Sequence, residues 1–257
     1  MTSQMILTAL PGIPLVFPGD DLAVLILEGV ERAGLALQDG DLLVVTQKVV
    51  SKAEGRLINL VEVDPSPEAI RLGEETNKDP RLVEVILNES RQVLRTREGV
   101  IIVEHRLGFV CANAGVDHSN VQDEEGQQGE WVAMLPQNPD ASAQRLGERL
   151  QDATGAKIGV VIIDSHGRAW RLGTVGIAIG VAGFPALLDL RGRPDLFGDP
   201  LRSTQVGLAD EVAASASILM GQADEGLPVI HIRGLPYAMR EGTLREILRP
   251  RELDLFR

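Results

Sequence analysis

The sequence predicts a mixed sheet flanked by helices, not a doubly wound sheet in which strands and helices strictly alternate. Three observations lead to this expectation: strand and helix patterns alternate irregularly, internal repeats are absent, and no heptad pattern runs through the chain. The 257 residues are enough to bury a sizeable core. We expect residues 1–257 to form one large domain or two smaller lobes.

The amino-terminal third begins with a helix and a strand. Asp20 and Asp21 precede apolar residues at helical spacing, which predicts an amphipathic helix with acidic residues at its start. Residues 41–46 (DLLVVT) form an apolar run that predicts a buried strand. A polar and basic segment, residues 47–55, follows that strand directly.

Two further helix starts and a strand follow. Ser66 and Asp79 each precede a proline, and this pattern of a capping residue before a proline predicts a helix amino terminus. Residues 100–103 predict a strand, and either Asp140 or Ser142 is expected to cap the next helix.

The last third contains the clearest strand and the last helix. Residues 158–163 (IGVVII) predict a strand that ends at Asp164, where a side chain can leave the core. Ser203 and Thr204 are expected to open a helix, and Gly221 stands where a left-handed residue would end it.

Composition excludes several classes of protein. The net charge is −12 and aromatic residues are only 3%, which argues against binding to a nucleic acid. The single cysteine, Cys111, excludes an intramolecular disulfide and suits a reducing compartment. The longest weakly polar run, residues 175–188, is too short to span a bilayer, and no signal peptide opens the chain. We therefore expect a cytoplasmic protein that does not enter the membrane.

Familiar nucleotide and zinc motifs are absent. The chain has neither a G-x-x-x-x-G-K-[ST] loop nor a dinucleotide fingerprint, and its four histidines are scattered. An enzymatic site must then be built from carboxylates and backbone. The best candidates by position are Asp164 after its strand and Asp117 among small residues, although either pattern is also typical of a turn aspartate.

Two other segments have both a functional and a structural interpretation. Lys52 follows a strand closely and could contact an anion, but most lysines are solvated surface residues. Residues 221–226 (GQADEG) read as a helix end followed by a turn. Alternatively, their backbone amides and the side chain of Gln222 face an anion or a metal.

Five short stretches, taken in order, resemble one family closely. They are residues 11–16 (PGIPLV), 50–56 (VSKAEGR), 113–120 (NAGVDHSN), 163–168 (IDSHGR) and 219–221 (LMG). Together they span roughly residues 5–240, and their order and spacing resemble the coenzyme F420-0:γ-glutamyl ligases. Each stretch is weakly specific alone, but five in order are a strong indication.

This resemblance implies an α+β fold, a homodimer, and a GTP-dependent ligase that uses Mg²⁺ or Mn²⁺. The implied reaction joins the amine of L-glutamate to a carboxylate of coenzyme F420-0, and it can continue through further γ-linked glutamates. A second, flavin-binding domain found in longer bacterial relatives is not expected here. The alternatives are an amino-acid ligase of the same fold that uses another carboxylate acceptor, and a non-catalytic nucleotide-binding protein.

The resemblance also implies roles for individual residues. Asp117 and Asp164 would be catalytic as metal ligands, with Ser165 and Gln222 as further ligands. The residues implied to line the nucleotide are Ile13, Pro14, Leu15, Val16, Gln47, Lys52, Asn120, Met220 and Gly221. Four positions depart from the archaeal pattern: hydroxyl residues are usual at Gln47 and Lys48, a threonine at Ser165 and a glutamate at Gln222.

Overall fold

A computed structural model of the chain describes residues 4–118 and 130–255. The strands of this part are β1 (Ile6–Ala9), β2 (Leu42–Thr46), β3 (Leu57–Asn59), β4 (Ser90–Arg97), β5 (Val100–His105), β6 (Val110–Ala112), β7 (Trp131–Ala133), β8 (Gly159–Gly167), β9 (Thr174–Ala182), β10 (Leu188–Asp189), β11 (Gln205–Val206) and β12 (Val229–Arg233). Its α-helices are α1 (Leu22–Arg32), α2 (Gln47–Ala53), α3 (Pro67–Thr76), α4 (Pro80–Asn88), α5 (Pro139–Thr154) and α6 (Leu208–Met220).

A five-stranded sheet in the order β1-β12-β2-β8-β9 lies at the centre of the fold. Strands β2 and β8 are parallel, whereas every other neighbouring pair in this sheet is antiparallel. Smaller sheets are formed by β4-β5-β6, by β3-β7 and by β10-β11. Both the expected mixed sheet and the α+β fold class are therefore confirmed.

Alternating side chains of the central strands pack into two cores, one on each face of the sheet. Val45 and Ile162 share a core with the buried faces of α1 and α5. Val44 and Ile163 point the other way and pack against α6. This alternation is what a strand buried on both faces requires, and it explains the continuous apolar runs of β2 and β8.

The starts of three helices were predicted correctly. Asp21, Ser66 and Asp79 each accept hydrogen bonds from backbone amides in the first turn of α1, α3 and α4. The expected cap of α5 was wrong, because Asn138 caps this helix ahead of Pro139. The carboxylate of Asp140 instead accepts hydrogen bonds from backbone amides of β9 and of residue 244.

Two other boundaries differ from the expectation. Helix α6 begins at Leu208 and not at residues 203–204, because residues 205–206 pair with β10 as strand β11. Gly221 does follow the helix with a positive φ of 72°, but its ψ of −174° is extended and not left-handed helical. Strand β8 does not end at Asp164 either, since it stays paired with β9 as far as Gly167.

No α-helix within residues 4–118 and 130–255 combines the length and apolar character needed to cross a bilayer.

Candidate active site

Strand directions bring four segments of the chain to the same end of the central sheet. Because β2 and β8 are parallel, both finish there, with Thr46 opposite Ile163. Strand β12 runs the other way and starts at this end, where Thr46 N donates a hydrogen bond to Pro228 O at 2.9 Å. Strand β1 in turn finishes here, with Leu10 N 2.9 Å from Val229 O.

Helix α6 also points toward this end of the sheet. Near its start, Asp210 accepts a hydrogen bond from the backbone amide of Ala178 in β9. Further along α6, Ser217 packs against Gly176, which is two residues closer to the β8–β9 turn. The helix therefore runs in the same direction as β8 and ends on the same side of the molecule.

These directions gather most of the predicted site segments. The sheet end collects the loop after β1, helix α2 after β2, the second half of β8 and the end of α6. Those segments carry Ile13, Pro14, Leu15, Val16, Gln47, Lys52, Asp164, Ser165, Met220, Gly221 and Gln222. Asn120, the remaining predicted nucleotide contact, lies outside the described residues.

Asp117 reaches this site through helix α2. Its backbone N–H and C=O both bond to Ala133, at 2.9 and 2.8 Å, so the residue is extended. The alternative interpretation as an Asx turn is wrong. Its carboxylate Oδ2 lies 2.7 Å from the ammonium Nζ of Lys48, at the start of α2.

Lys52 follows Lys48 by one helical turn, so the two ammonium groups share a face of α2. The side chain of Lys52 is partly buried and not fully solvated. Burial lowers its pKa below the usual lysine value, the positive charge of Lys48 lowers it further, and Asp117 partly offsets both effects. Two cations held this close favour an anion as their ligand.

Asp164 lies on the face of β8 opposite to α6, and its carboxylate is only 17% exposed. His166 follows two residues later on the same face, with its Nε2 2.8 Å from Asp164 Oδ2. Cys111 is buried nearby, and burial together with the negative charge of Asp164 raises the pKa of its thiol to about 12. Asp164 is therefore a partly buried carboxylate within the sheet and not a turn residue.

Not every predicted residue converges. Ser165 alternates with Asp164 along β8 and pairs with Gly176, so its side chain lies on the α6 face of the sheet. The side chain of Gln47 is buried, and its Oε1 accepts a hydrogen bond from Ser51 at 2.8 Å. Gln47 is thus directed toward its own helix, in contrast to the role expected for it beside a nucleotide.

The backbone of the segment after α6 binds an anionic group, the carboxylate of Glu225 in the same segment. The Glu225 carboxylate accepts a hydrogen bond from the backbone N–H of Ala223 at 2.8 Å, and this bond lowers the pKa of Glu225. The same carboxyl group lies against Gly221, where a β-carbon would come within 1.9 Å of it. Gln222 itself is exposed.

The donor set fits a divalent cation only in part. Within the described ranges, no group of three or more His, Cys, Asp or Glu side chains is arranged to hold a metal. Asp117 and Asp164 supply hard oxygen donors, which Mg²⁺ and Mn²⁺ prefer. Mg²⁺ is commonly held by one or two carboxylates together with substrate phosphates and water. The carboxylate of Asp117, with Lys48 and Lys52 close to it, suits a cation that binds together with a phosphate.

A cavity of about 760 Å³ lies elsewhere, between the carboxyl-terminal segment and strands β5 and β9. None of the predicted site residues lines it. Its charged lining residues are Arg91, Glu104, Asp140, Arg245, Arg249, Arg251 and Glu252. We place the candidate site at the sheet end, because the motif residues converge there and volume alone indicates no chemistry.

Sequence reasoning missed two residues of the site, Lys48 and His166. Lys48 precedes Lys52 by four residues, a spacing that would have placed both on one face had residues 47–53 been recognised as a helix. His166 follows Asp164 by two residues, which would have placed both on one face had β8 been extended to Gly167.

Comparison with known proteins identifies the family. A family model described as F420-0:Gamma-glutamyl ligase matches residues 12–234. Proteins named Coenzyme F420:L-glutamate ligase are similar along nearly their whole length. The protein from Methanothermobacter thermautotrophicus is 48% identical over 253 residues, 98% of each chain. The one from Archaeoglobus fulgidus is 43% identical over 246 residues, 96% of this chain and 94% of the relative. The Methanosarcina mazei protein is 36% identical over 250 residues, 97% and 94% of the two chains. The chain belongs to the F420-0:γ-glutamyl ligase family.

Proposed function

We propose that this chain is a GTP-dependent ligase that joins L-glutamate to coenzyme F420-0 and can add further γ-linked glutamates. Two lines of support lead to this proposal. The relatives that match nearly the whole chain carry the name Coenzyme F420:L-glutamate ligase. The observation that carries the proposal is the ion pair between Asp117 and Lys48, one helical turn from Lys52 on the helix that follows β2. Strand β2 runs parallel to β8, the strand that carries Asp164.

The chemistry explains why such a ligase needs a nucleotide. A carboxylate is a poor electrophile, so the acceptor carboxylate first takes the γ-phosphoryl group of GTP, and GDP leaves. The neutral amine of glutamate then attacks the acyl phosphate, an amide forms, and inorganic phosphate leaves. Catalysis of phosphoryl transfer depends mainly on positioning and on stabilising negative charge. Lysines, and a divalent cation held by carboxylates, would serve both purposes.

The residues of the sheet end divide these tasks. Lys52, a partly buried cation, would hold a phosphate of GTP, while the loop of Ile13–Val16 and the end of α6 at Met220 and Gly221 would line the nucleotide. Asp117 and Asp164 would hold Mg²⁺ or Mn²⁺, and Gln222, exposed after α6, is a further candidate. Such a cation, when bound, offsets the negative charge of the phosphates during transfer.

A homodimer is part of the proposal. Leu172, Leu196 and Phe197 lie in the loops that follow β8 and β10, and they are 98%, 100% and 93% exposed. Adjacent large apolar side chains that are almost fully exposed, such as Leu196 and Phe197, are typical of a surface that a protein partner covers. The partner we propose is a second copy of this chain.

Glutamate incorporation tests the proposed reaction. Pure protein is incubated with GTP, Mn²⁺ and radiolabelled L-glutamate, with and without coenzyme F420-0. Label that enters a product only with F420-0 supports the proposal. Label transferred to other carboxylate acceptors but not to F420-0 would indicate a ligase of different specificity. GTP binding without any transfer would indicate a non-catalytic nucleotide-binding protein.

A further inference from the structure

His166 is a buried imidazole whose polar contact is with a proposed catalytic residue. Its side chain is 8% exposed, and its Nε2 lies 2.8 Å from Asp164 Oδ2. An ionised carboxylate only accepts hydrogen bonds, so Nε2 carries the hydrogen and donates it to Asp164. The other ring nitrogen, Nδ1, is buried and has no hydrogen-bond partner among the described residues.

Aromatic rings pack beside the imidazole of His166. The centroid of Phe109 lies 5.4 Å from that of His166 with a tilt of 56°. The ring of Phe109 also stacks on His105, with centroids 5.2 Å apart and an interplanar angle of 11°. His166 therefore rests on a buried aromatic base. An apolar ring would fill this space without burying an unpaired nitrogen, so packing alone does not explain a histidine here.

Position along β8 explains why the contact with Asp164 forms. Residues two apart on a strand point to the same face, and β8 stays paired with β9 through both residues. The two side chains are thus held side by side by the backbone, and the hydrogen bond fixes which way the carboxylate plane faces. Hydrogen bonds of this kind to ligating carboxylates orient them and tune metal affinity.

We propose that His166 is a positioning residue that orients the Asp164 carboxylate for a divalent cation through the Nε2–H to Oδ2 hydrogen bond. This inference rests on the proposed function, because it requires Asp164 to be a metal ligand. His166 acts through Asp164 and does not itself contact the cation or the substrates.

Four variants separate the hydrogen bond from the ring. His166→Gln keeps an N–H near the position of Nε2 but loses the ring, whereas His166→Met has a similar length and no N–H. His166→Phe keeps the ring and loses the N–H. His105→Phe alters the ring that stacks on Phe109 and serves as the control for packing.

The affinity for Mn²⁺ alone is measured by electron paramagnetic resonance, in which the signal of the free ion falls as the ion binds. The melting temperature of each variant is measured as well. We expect His166→Phe and His166→Met to weaken Mn²⁺ binding by about 10- to 100-fold, the scale seen for partners of metal ligands. His166→Gln should retain most of the affinity although it loses the ring. His105→Phe should bind Mn²⁺ as the wild-type protein does, whatever its melting temperature.

Asp164→Asn separates failure of this inference from failure of the proposed function. If the wild-type protein binds no Mn²⁺, or if Asp164→Asn binds it equally well, the proposed metal site fails and the positioning role fails with it. If Asp164→Asn loses Mn²⁺ while His166→Met matches His166→Gln, the metal site stands and the positioning role is overturned. Mn²⁺ affinity that follows the melting temperature across all variants would likewise assign His166 to packing alone.

Discussion

Acid should destabilise this protein through His105, whose ring stacks on Phe109. The side chain is 2% exposed, and its Nδ1 accepts a hydrogen bond from the backbone N–H of Leu107 at 2.9 Å. Burial lowers the pKa of His105 to about 4, and electrostatic interactions with His166 and Arg56 contribute to the same shift. The folded protein therefore keeps this imidazole neutral at pH values where the unfolded chain protonates it.

The sign and size follow from proton linkage. Between pH 6.5 and about 4 the unfolded chain binds more protons at His105 than the folded chain, so the free energy of unfolding falls as the pH falls. A pKa lowered from 6.5 to about 4 corresponds to about 3 kcal/mol in total. About 2 kcal/mol of this is lost between about pH 7.5 and about pH 5.

The perturbation is His105→Asn, because the asparagine carbonyl can still accept the bond from Leu107 but does not titrate. Urea unfolding of both proteins at about pH 7.5 and about pH 5 gives four free energies of unfolding. The variant starts less stable, since it leaves a cavity beside Phe109. The wild-type protein should lose about 2 kcal/mol more than the variant on acidification. Equal losses in the two proteins would refute a buried neutral His105.

Three further predictions concern the site and its surroundings. Lys52→Ala should weaken GTP binding by about 1.5–3 kcal/mol in calorimetry, with little change in melting temperature. The control Lys157→Ala, at the opposite end of β8, should bind GTP normally. Equal affinity in both variants would make Lys52 an ordinary surface lysine. The Cys111 thiol, buried and with its pKa raised to about 12, should resist iodoacetamide near pH 8 until urea unfolds the protein; rapid alkylation of the folded protein would contradict this burial. Replacing both Leu196 and Phe197 with aspartate should shift the mass in light scattering from dimer to monomer, and an unchanged mass would place the dimer interface elsewhere.

The elements that could be predicted from the sequence are those with a local sequence signal. Ser66 and Asp79 cap their helices through side-chain bonds within three residues, so the neighbouring proline was sufficient to locate both starts. Strand β2 was recognisable because it is buried on both faces and uniformly apolar. These elements depend little on distant parts of the chain.

Elements fixed by distant contacts were not predicted. Strand β8 continues through Asp164 and His166 because β9 pairs with it, and polar residues at its end gave no apolar signal. The cap of α5 differs from the expected Asp140 because that carboxylate bonds to residues 41 and 104 positions away. Such long-range partners leave no periodic trace in the sequence.

In the candidate site, too, some residues could be predicted from the sequence and others depend on tertiary contacts. Resemblance to a family located Asp117, Asp164 and Lys52, but it did not indicate their partners. The pairing of Asp117 with Lys48 depends on the β7 contact that brings Asp117 to α2. The pairing of Asp164 with His166 depends on the extension of β8. Both partners became visible only with the topology.

The most direct test of the central claim compares glutamylation of coenzyme F420-0 by the wild-type protein and by Asp164→Asn. Product with added glutamate is measured by mass spectrometry in the presence of GTP and Mg²⁺, and melting temperature is measured without metal. Asparagine removes the charge that a divalent cation favours, so turnover should fall at least about 100-fold, the scale of losing one preorganised electrostatic group. The melting temperature should change little, because asparagine keeps a carbonyl oxygen that can accept the hydrogen bond from His166. Near-normal turnover with a lower melting temperature would contradict the account, since it would make Asp164 a structural residue.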